Sequence, residues 1–458
     1  MTPARRRLFG TDGIRGVVNQ YPMTAEFALA LGRAVAQLLR EEKKNRRPRV
    51  VLGKDTRLSG YMLEEALCSG LLSQGADVFL AGPLPTPGLA FLTTGLRADA
   101  GVVISASHNP YYDNGLKIFA ADGFKLPDEV EAVLENYVAD PAFLDRHRPR
   151  PEGVGRAERL DDAVGRYVVF LKSTFPRALN LEGLTVVLDC AHGAAYRTAP
   201  MVFEELGAKI HLFGAKPDGV NINLGVGSLQ PELCRREVTR TGADLGLALD
   251  GDADRVIMVD GGGRLVDGDQ ILNLCALRLQ RLGRLNRSTV VGTIMSNLGL
   301  ELALGRHGLK LLRTPVGDRY VVERLRREGL NFGGEQSGHI IFLDYGTTGD
   351  GILAALQTLL VMKEEGRTLA ELADLMEPFP QVLLNVKAAR PKEAETNPAV
   401  TAQAARIAGR LAGRGRLVLR PSGTEPLVRI MIEGEDLAEI TALAEETAEL
   451  VARELGDS

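Results

Sequence analysis

The sequence predicts an α/β protein with three similar mixed-sheet α/β domains and a smaller α+β domain at the C-terminus, placed around a central cleft. Two observations lead to this prediction. The chain has 458 residues, which is more than one hydrophobic core normally organises, so roughly three or four domains are expected. The first three quarters of the chain also repeat one pattern three times, an alternation of β-rich runs and helical stretches that is typical of α/β layers.

Each copy of the repeat contains two strands that flank a helical stretch and a third strand that ends in a polar loop. The strand-containing segments are 49–55, 76–82 and 100–107 in the first copy, 184–190, 208–214 and 245–252 in the second, and 289–295, 309–315 and 331–339 in the third. Open α/β sheets bind ligands beyond the carboxyl ends of their strands. We therefore expect the three polar loops, SASHNP, DGDADR and GEQSGH, to face one shared cleft.

The last part of the chain follows a different pattern. LLNVKA, an amphipathic stretch through Leu411, LVLRPSGTEP, VRIMIEG and a helix from Leu437 predict an antiparallel sheet covered by helices. We expect four domains with approximate boundaries, and these cover residues 1–150, 151–257, 258–368 and 369–458.

Composition excludes several classes of protein. The chain is 45% hydrophobic and 25% charged, with a net charge of −4, and it has no long basic run, which argues against a nucleic-acid partner. No apolar stretch has the length of a membrane span, and the N-terminus lacks the apolar core of a signal peptide. The four cysteines are scattered without paired spacing, as in reduced cytoplasmic proteins. We expect a cytoplasmic protein without a membrane partner that acts as a monomer or a homodimer.

A serine on the first polar loop is the leading chemical candidate. Ser107 follows the apolar run VVI in VVISASHNP, and Pro110 disfavours helical geometry at the residue before it. A serine on such a strand-end turn is consistent with a nucleophile, a phosphate carrier or a turn hydroxyl.

Three alternating aspartates on the second loop favour a metal site. Asp250, Asp252 and Asp254 repel one another unless a cation neutralises them, and hard oxygen ligands favour Mg²⁺. An EF-hand calcium loop is excluded, because its sixth position is Arg255 instead of glycine and its twelfth is Gly261 instead of glutamate. A solvated acidic turn is the remaining alternative, and the apolar strands on both sides weaken it.

Two further loops have the composition of phosphate-binding turns. RPSGTEP offers a guanidinium, two hydroxyls and a glycine, in Arg420, Ser422, Thr424 and Gly423. GTDGIRG offers glycines and Arg15 as an anion partner. The alternative for each is an ordinary structured turn.

The third polar loop and one lysine complete the candidates. Glu335, Ser337 and His339 in GEQSGH suit hydrogen bonding to sugar hydroxyls or an amino group. Lys117, ten residues after Ser107, is a candidate acid, base or charge partner, although a lone lysine is normally a solvated surface residue.

Taken together, these motifs resemble a known superfamily. LFGTDGIRG, GKDTRLSG, ISASHNP, DGDADR, TPVGDRY, GGEQSGH and RPSGTEP occur in the order found in the α-D-phosphohexomutases, and most closely in the bacterial phosphoglucosamine mutases. Gln336 in the third loop is typical of the glucosamine branch. The resemblance covers nearly the whole chain and implies four domains around a central cleft.

The resemblance also implies a role for each candidate. Ser107, and not Ser105, corresponds to the phosphoserine. The catalytic residues implied are Ser107, Lys117, Arg15 and His339. The implied Mg²⁺ ligands are Asp250, Asp252, Asp254 and an oxygen of the phosphorylated Ser107. The implied contacts to the sugar are Glu335, Ser337 and His339. The implied contacts to the phosphate that is not transferred are Arg420, Ser422, Gly423 and Thr424.

The implied activity is that of an isomerase acting on an amino-sugar phosphate. It interconverts glucosamine 6-phosphate and glucosamine 1-phosphate through a phosphoserine and a bound hexose 1,6-bisphosphate, and it supplies UDP-N-acetylglucosamine synthesis. A phosphomannomutase or phosphoglucomutase is the alternative within the same class. A metal-dependent phosphatase and a non-catalytic sugar-phosphate-binding protein are the alternatives from other classes.

Overall fold

Four β-sheets organise the protein. The computed structural model describes residues 8–10, 12–42, 46–421 and 426–456, and in that part of the chain the sheets have six, five, four and three strands. The first three sheets are mixed and the fourth is antiparallel, so the predicted fold class is confirmed.

The first sheet has the strand order β1-β5-β4-β2-β3-β6. Its strands are β1 (Ile14–Val17), β2 (Arg49–Lys54), β3 (Asp77–Pro83), β4 (Ala100–Ile104), β5 (Asp113–Ala120) and β6 (Ala157–Arg159). The helices of this region are α1 (Ala25–Glu42), α2 (Ser59–Ser73), α3 (Thr86–Gly95), α4 (Asp128–Ala139) and α5 (Pro141–Arg146), followed by a short 3-10 helix (Pro151–Gly153).

The second sheet has the strand order β11-β10-β9-β7-β8. Its strands are β7 (Thr185–Asp189), β8 (Lys209–Phe213), β9 (Leu245–Leu249), β10 (Val256–Asp260) and β11 (Leu265–Val266). The helices here are α6 (Ala163–Ser173), α7 (Thr198–Glu205) and α8 (Glu232–Thr241), with a 3-10 helix at Ala194–Tyr196.

The third sheet has the strand order β13-β12-β14-β15. Its strands are β12 (Thr289–Thr293), β13 (Lys310–Thr314), β14 (Phe332–Gly334) and β15 (Ile340–Phe342). Its helices are α9 (Gly268–Arg281), α10 (Leu298–Arg306), α11 (Asp318–Glu328), α12 (Gly351–Glu365) and α13 (Leu369–Ala373), with a 3-10 helix at Asn286–Ser288.

The fourth sheet has the strand order β16-β18-β17. Its elements are β16 (Gln381–Lys387), β17 (Gly415–Pro421), β18 (Leu427–Gly434), α14 (Pro398–Arg410), α15 (Leu437–Leu455) and a 3-10 helix at Pro391–Glu395. This sheet and its helices enclose a hydrophobic core of their own, whereas one continuous core runs through the first three sheets.

The three predicted copies share one topology. In each, the first strand (β2, β7 or β12) lies in the middle and runs parallel to the other two strands of the copy. The third strand then turns back into an antiparallel neighbour, in the pairs β4–β5, β9–β10 and β14–β15. The turns of these pairs are 105–112, 250–255 and 335–339, so each polar loop connects a parallel strand to its antiparallel partner.

Local sequence explains why these strands end where they do. All five residues of β4 and of β9 are buried, as continuous apolar runs require, and each run stops at the first polar residue of its loop. In the third copy, the N–H of Gly268 at the start of α9 donates to the carbonyl oxygen of Gln336 at 3.0 Å, and Asp267 and Gln270 form a capping box at the same helix end.

β6 is an edge strand of the first sheet, and β10 and β11 belong to the second sheet, whose last strand ends at Val266. Leu369 and Leu372 of α13 are buried in the core of the first three sheets. The limits of the four domains stay a prediction. The return strand of each copy pairs with the third strand, which composition alone does not reveal. Among the described residues, no helix combines the length and the apolar character needed to cross a membrane.

Candidate active site

Ser107 faces the aspartates of the second loop. Its side chain is buried, and its Oγ donates a hydrogen bond to Asp250 Oδ2 at 2.7 Å. Ser105 is used differently: its Oγ donates to Asp55 Oδ2 at 2.7 Å and accepts the Ser107 N–H at 2.9 Å. Of the two serines in the loop, Ser107 is therefore the one whose hydroxyl meets the carboxylate cluster.

The three aspartates converge as a metal site requires. Asp250, Asp252 and Asp254 are buried in the turn between β9 and β10, and one oxygen from each lies within 4.8 Å of the others. Among the described residues, Asp252 Oδ1 and Asp254 Oδ1 are buried without a hydrogen-bond partner. Burial, together with the charges of Asp254 and Asp252, raises the pKa of Asp250 well above its usual range. The orphaned oxygens and the mutual repulsion both fit a divalent cation.

Lys117 enters the same cluster from β5. Its Nζ lies 2.9 Å from Asp252 Oδ2, 3.0 Å from Asp12 Oδ2 and 3.6 Å from Asp254 Oδ2, and the side chain is 1% exposed. Burial by itself favours a neutral amine, but the charges of these carboxylates outweigh it and hold the pKa of Lys117 above its ordinary value. Lys117 is therefore a protonated charge partner and not a solvated surface lysine.

Asp12 is a further member of the site that the sequence did not single out. Its Oδ2 pairs with Arg15 Nη2 and its Oδ1 with Lys125 Nζ, in addition to the Lys117 contact. Burial opposes ionisation, yet the charges of Lys117, Lys125 and Arg15 hold the pKa of Asp12 well below its usual range. One carboxylate thus fixes three cations, among them Arg15 of the predicted site.

His339 lies between two carboxylates. Nδ1 is 3.6 Å from Asp254 Oδ1 and Nε2 is 3.7 Å from Asp318 Oδ2. Burial favours the neutral ring, but the charges of Asp254 and Asp318 raise the pKa of His339 to about 8. The backbone N–H of Gly349 donates to Nε2 at 3.1 Å and so favours a neutral ring with its proton on Nδ1. The two carboxylates therefore favour the protonated ring, and the Gly349 N–H favours the neutral ring.

These contacts close into a ring of alternating charge. Lys125 Nζ, which pairs with Asp12, also lies 2.5 Å from Asp318 Oδ2, and this contact joins the first and third sheets. The members in order are Lys117, Asp12, Lys125, Asp318, His339 and Asp254, which returns to Lys117, and Asp252 pairs with Lys117 from outside the ring. The ring joins residues from the regions of the first three sheets.

A cavity of about 430 Å³ opens beside the ring. Its polar lining includes Asp12, Arg15, His108, Arg255, Glu335 and His339. Glu335 Oε1 accepts the Gly317 N–H at 3.0 Å, which fixes the carboxylate at the rim of the cavity. Ser337 Oγ is buried without a hydrogen-bond partner in the described part of the chain. The predicted sugar loop thus contributes Glu335 and His339 to the cavity.

Arg255 and His108 are cavity residues to which the sequence assigned no role. Burial disfavours the guanidinium of Arg255, but Asp254, Asp250 and Glu335 hold its pKa above the ordinary value. Burial, with the charges of Arg255 and Arg15, lowers the pKa of His108 to about 4, so this ring is neutral. The sequence signal for both was adjacency: Arg255 follows the third aspartate and His108 follows Ser107.

Arg420 of the predicted phosphate loop does not line this cavity. Arg420 is on β17 directly opposite Arg429 of β18, and burial together with the charge of Arg429 lowers the pKa of Arg420. Arg420 Nε is buried with no hydrogen-bond partner among the described residues. Ser422, Gly423 and Thr424 lie outside the described residues, so the loop as a phosphate site stays a prediction.

Comparison with known proteins assigns the chain to a family. Four models of the phosphoglucomutase/phosphomannomutase family match in succession: alpha/beta/alpha domain I at residues 6–145, domain II at 165–263, domain III at 267–379 and the C-terminal domain at 383–450. A phosphoglucosamine mutase from Syntrophotalea carbinolica is 56% identical over 452 residues, which cover 99% of this chain and 98% of the relative.

The chain belongs to the phosphoglucosamine mutase family. Membership of this family confirms the resemblance in the motifs and the predicted class of enzyme, an isomerase. A second relative, a phosphoglucosamine mutase from an Anaeromyxobacter species, is 57% identical over 457 residues, covering 99% of this chain and 97% of the relative.

Several solved structures share the fold of this phosphoglucosamine mutase family member. A phosphoglucomutase/phosphomannomutase family protein from Burkholderia thailandensis matches with a TM-score of 0.80 at 24% identity, covering 97% of this chain and 98% of that one. Aspergillus fumigatus N-acetylphosphoglucosamine mutase, in complex with GlcNAc-6P and magnesium, matches with a TM-score of 0.68 at 19% identity, covering 98% and 96%. A structure of the same fungal mutase with glucose 1,6-bisphosphate gives a TM-score of 0.65 at 19% identity, covering 98% and 96%.

Proposed function

We propose that this chain interconverts glucosamine 6-phosphate and glucosamine 1-phosphate, with Ser107 as the phosphate carrier, and thereby supplies UDP-N-acetylglucosamine synthesis. The observation that carries the proposal is the position of Ser107 Oγ, 2.7 Å from Asp250 Oδ2 and at the edge of a buried three-carboxylate cluster. A serine hydroxyl held against a cation site is where a phosphoryl group can be carried with its charge neutralised.

The proposed reaction has two phosphoryl transfers. The phosphoryl group of phospho-Ser107 passes to the free hydroxyl of the hexose monophosphate, that hydroxyl gives up its proton, and Ser107 Oγ is released as the leaving group. The resulting 1,6-bisphosphate reverses its orientation in the cavity. Its other phosphoryl group is then transferred to Ser107, which leaves the product monophosphate. The fungal mutase structure with glucose 1,6-bisphosphate supports such an intermediate.

The side chains of the ring and cavity fit these steps. Asp250, Asp252 and Asp254 would hold Mg²⁺, which supplies charge neutralisation for the transferred group; the fungal mutase complex with magnesium supports this assignment. Arg15 lines the cavity, and protonated Lys117 sits against Asp252; both add positive charge near Ser107.

Proton transfer is assigned to His339. Its ring lines the cavity and is buried between Asp254 and Asp318, which places an imidazole, a group able to accept and return a proton, beside the proposed substrate. The same group would serve as base in one transfer and as acid in the reverse transfer.

Substrate binding is proposed to use two separate regions. Glu335, Ser337 and His339 would contact the sugar, and Arg420 with Ser422, Gly423 and Thr424 would hold the phosphate that is not transferred. The GlcNAc-6P bound by the fungal mutase supports a sugar phosphate as substrate. The amino sugar is favoured by Gln336 and by the phosphoglucosamine mutase relatives. The four cysteines are buried and free, which supports the proposed cytoplasmic location.

The carrier role is tested by intact mass and turnover. Wild-type protein incubated with glucose 1,6-bisphosphate should gain one phosphoryl group, and Ser107→Ala should gain none and lose turnover. Ser105→Ala is the matched control: it removes a hydroxyl two residues away and should still be phosphorylated. Full turnover in Ser107→Ala would exclude the proposed carrier.

Substrate preference is tested with a panel of hexose phosphates. Turnover on glucosamine 1-phosphate should exceed turnover on glucose and mannose phosphates; equal or faster turnover of the sugars without the amino group would favour a phosphoglucomutase or phosphomannomutase. Release of inorganic phosphate at the isomerisation rate would indicate a phosphatase.

A further inference from the structure

The backbone of the serine loop is held by one buried arginine. Arg57 precedes α2 and is 0% exposed. Its Nε donates to Asp55 Oδ2 at 2.9 Å. The remaining donors face the loop: Nη2 donates to the carbonyl oxygens of Ser107 at 2.9 Å and of Asn109 at 2.8 Å. Nη1 donates to those of Asp113, at 3.1 Å, and Pro110.

A second side chain reaches two of the same oxygens from another part of the chain. Asn223 lies between β8 and α8, and its Nδ2 donates to the carbonyl oxygens of Ser107 at 2.9 Å and Asn109 at 3.0 Å. Gly251, between the first two aspartates, packs on the same Ser107 carbonyl, since a Cβ there would lie 2.5 Å from that oxygen. The Ser107 carbonyl is therefore fixed from the first sheet region, the second sheet region and the metal turn.

Ser107 needs such support because of its backbone. Its φ is +51°, in the left-handed region that non-glycine residues adopt only at an energetic cost. A residue stays in this conformation where the surrounding contacts determine it. The conformation matters for the site, because it sets the direction in which the Ser107 side chain points toward Asp250.

We propose that Arg57 is the positioning residue of Ser107, and that Asn223 aligns the same loop with the second sheet. Arg57 does not line the cavity and acts only through the backbone of residues 107–113. The inference rests on the proposed function insofar as Ser107 is the group that reacts. A lysine cannot replace Arg57, because a point-like ammonium cannot span the carbonyl oxygens that the planar guanidinium reaches together.

The test compares two loop variants with a matched control. Arg57→Lys and Asn223→Ala remove the loop contacts, and Arg33→Lys alters an arginine that is 7% exposed in the same region, where it pairs with Asp145 at 2.8 Å. Steady-state kinetics on glucosamine 1-phosphate, amide hydrogen exchange over residues 105–113 and the thermal midpoint are measured for each. Ser107→Ala is assayed in parallel.

Arg57→Lys should lower kcat by about 100-fold with little change in KM, because small misplacement of a reacting group costs rate and not binding. Asn223→Ala should lower kcat less, in the same direction, and both should exchange faster over 105–113. Arg33→Lys should keep kcat and loop protection. Unchanged kcat and unchanged protection in Arg57→Lys would overturn the proposal, as would a fall in its thermal midpoint alone.

Two outcomes separate this inference from the proposed function. If Ser107→Ala keeps full turnover, the carrier assignment fails, and hydrogen exchange alone decides whether Arg57 holds the loop. If Arg57→Lys does not fold, Asn223→Ala decides, and wild-type kcat and protection in that variant would overturn the proposal.

Discussion

Ser107 Oγ and Asp250 Oδ2 lie 2.7 Å apart although the two residues are 143 positions apart in the chain. The contact joins the loop after β4 to the loop after β9, which are equivalent loops in two copies of the repeat. A hydroxyl buried against a carboxylate is a strong hydrogen bond, and the same approach brings the serine to the proposed metal site. Catalytic competence therefore depends on how accurately the first two sheets are placed against each other.

Removing one metal-site charge should abolish turnover without unfolding the protein. Asp252→Asn keeps the shape of a side chain that accepts a hydrogen bond from Thr86 Oγ1 at 2.7 Å, but it removes a charge from the cluster. We expect turnover to fall by orders of magnitude while circular dichroism is unchanged, and a Mg²⁺ titration to show weakened binding. Asp260→Asn, on the buried Asp260 that pairs with Arg264, is the control and should retain turnover. Wild-type turnover in Asp252→Asn would refute the metal assignment.

Loss of the proposed phosphate contact should affect binding more than chemistry. Arg420→Ala removes a guanidinium that does not line the cavity beside the charged ring, so we expect KM for the sugar phosphate to rise and kcat to change less. Arg410→Ala removes an exposed arginine that pairs with Glu439 at 2.7 Å and should leave both constants unchanged. An unaltered KM in Arg420→Ala would show that the phosphate is bound elsewhere.

A methyl group at Gly349 should displace His339. A Cβ at this position would overlap the imidazole ring, whereas a Cβ at Gly346 of the same loop would have its nearest neighbour at 4.0 Å. Gly349→Ala should therefore lower kcat strongly, and Gly346→Ala should behave like the wild type. The measurement is kcat for both variants beside their thermal midpoints; equal kcat values would show that the exact place of the ring is unimportant.

Asp350 should make stability depend on pH. It caps α12 by accepting the Leu353 N–H and also accepts the Tyr167 hydroxyl proton, and burial raises the pKa of Asp350 to about 6. The folded protein therefore binds this proton more tightly than the unfolded chain, whose aspartates titrate near about 3.9. The corresponding stability is present at low pH and is lost as the pH rises from about 4 to about 6.

Asp350→Asn should remove this dependence. The difference in thermal midpoint between the variant and the wild type should shift in favour of the variant between about pH 4 and pH 6. Asp436→Asn, at the exposed N-cap of α15, controls for the loss of a helix-capping carboxylate. Parallel curves for Asp350→Asn and the wild type would show that Asp350 titrates as in the unfolded chain.

Sequence patterns predicted the residues whose neighbours in the chain share their chemistry. Ser107 and the three aspartates follow apolar strands, and Glu335 and His339 stand in one short polar loop. Lys117 was ambiguous, because its ion-pair partners Asp12 and Asp252 are distant in sequence. The spacing of a motif shows which groups are available; it does not show which groups are buried together.

The residues that were missed are those that act through distant partners. Lys125 pairs with Asp12 and Asp318, which are 113 and 193 positions away in the chain, so no local pattern shows that the three residues meet. Arg57 binds backbone oxygens, which no side-chain pattern reports. The pairing of β10 and β11 with earlier strands is set by tertiary structure, which a local pattern does not report.

The ring of alternating charge has a consequence for the chain during its synthesis. Domains generally fold in order from the N-terminus during synthesis, so the segment that contains Ser107 is made before Asn223 and the carboxylate turn that hold its loop, and before Asp318 and His339. The growing chain first contains Ser107 without the aspartates of the second loop and then contains both. It gains Asp318 and His339, which complete the ring, only with the third sheet. The contacts that fix Ser107 and the charges around it are therefore complete only after the third sheet has folded.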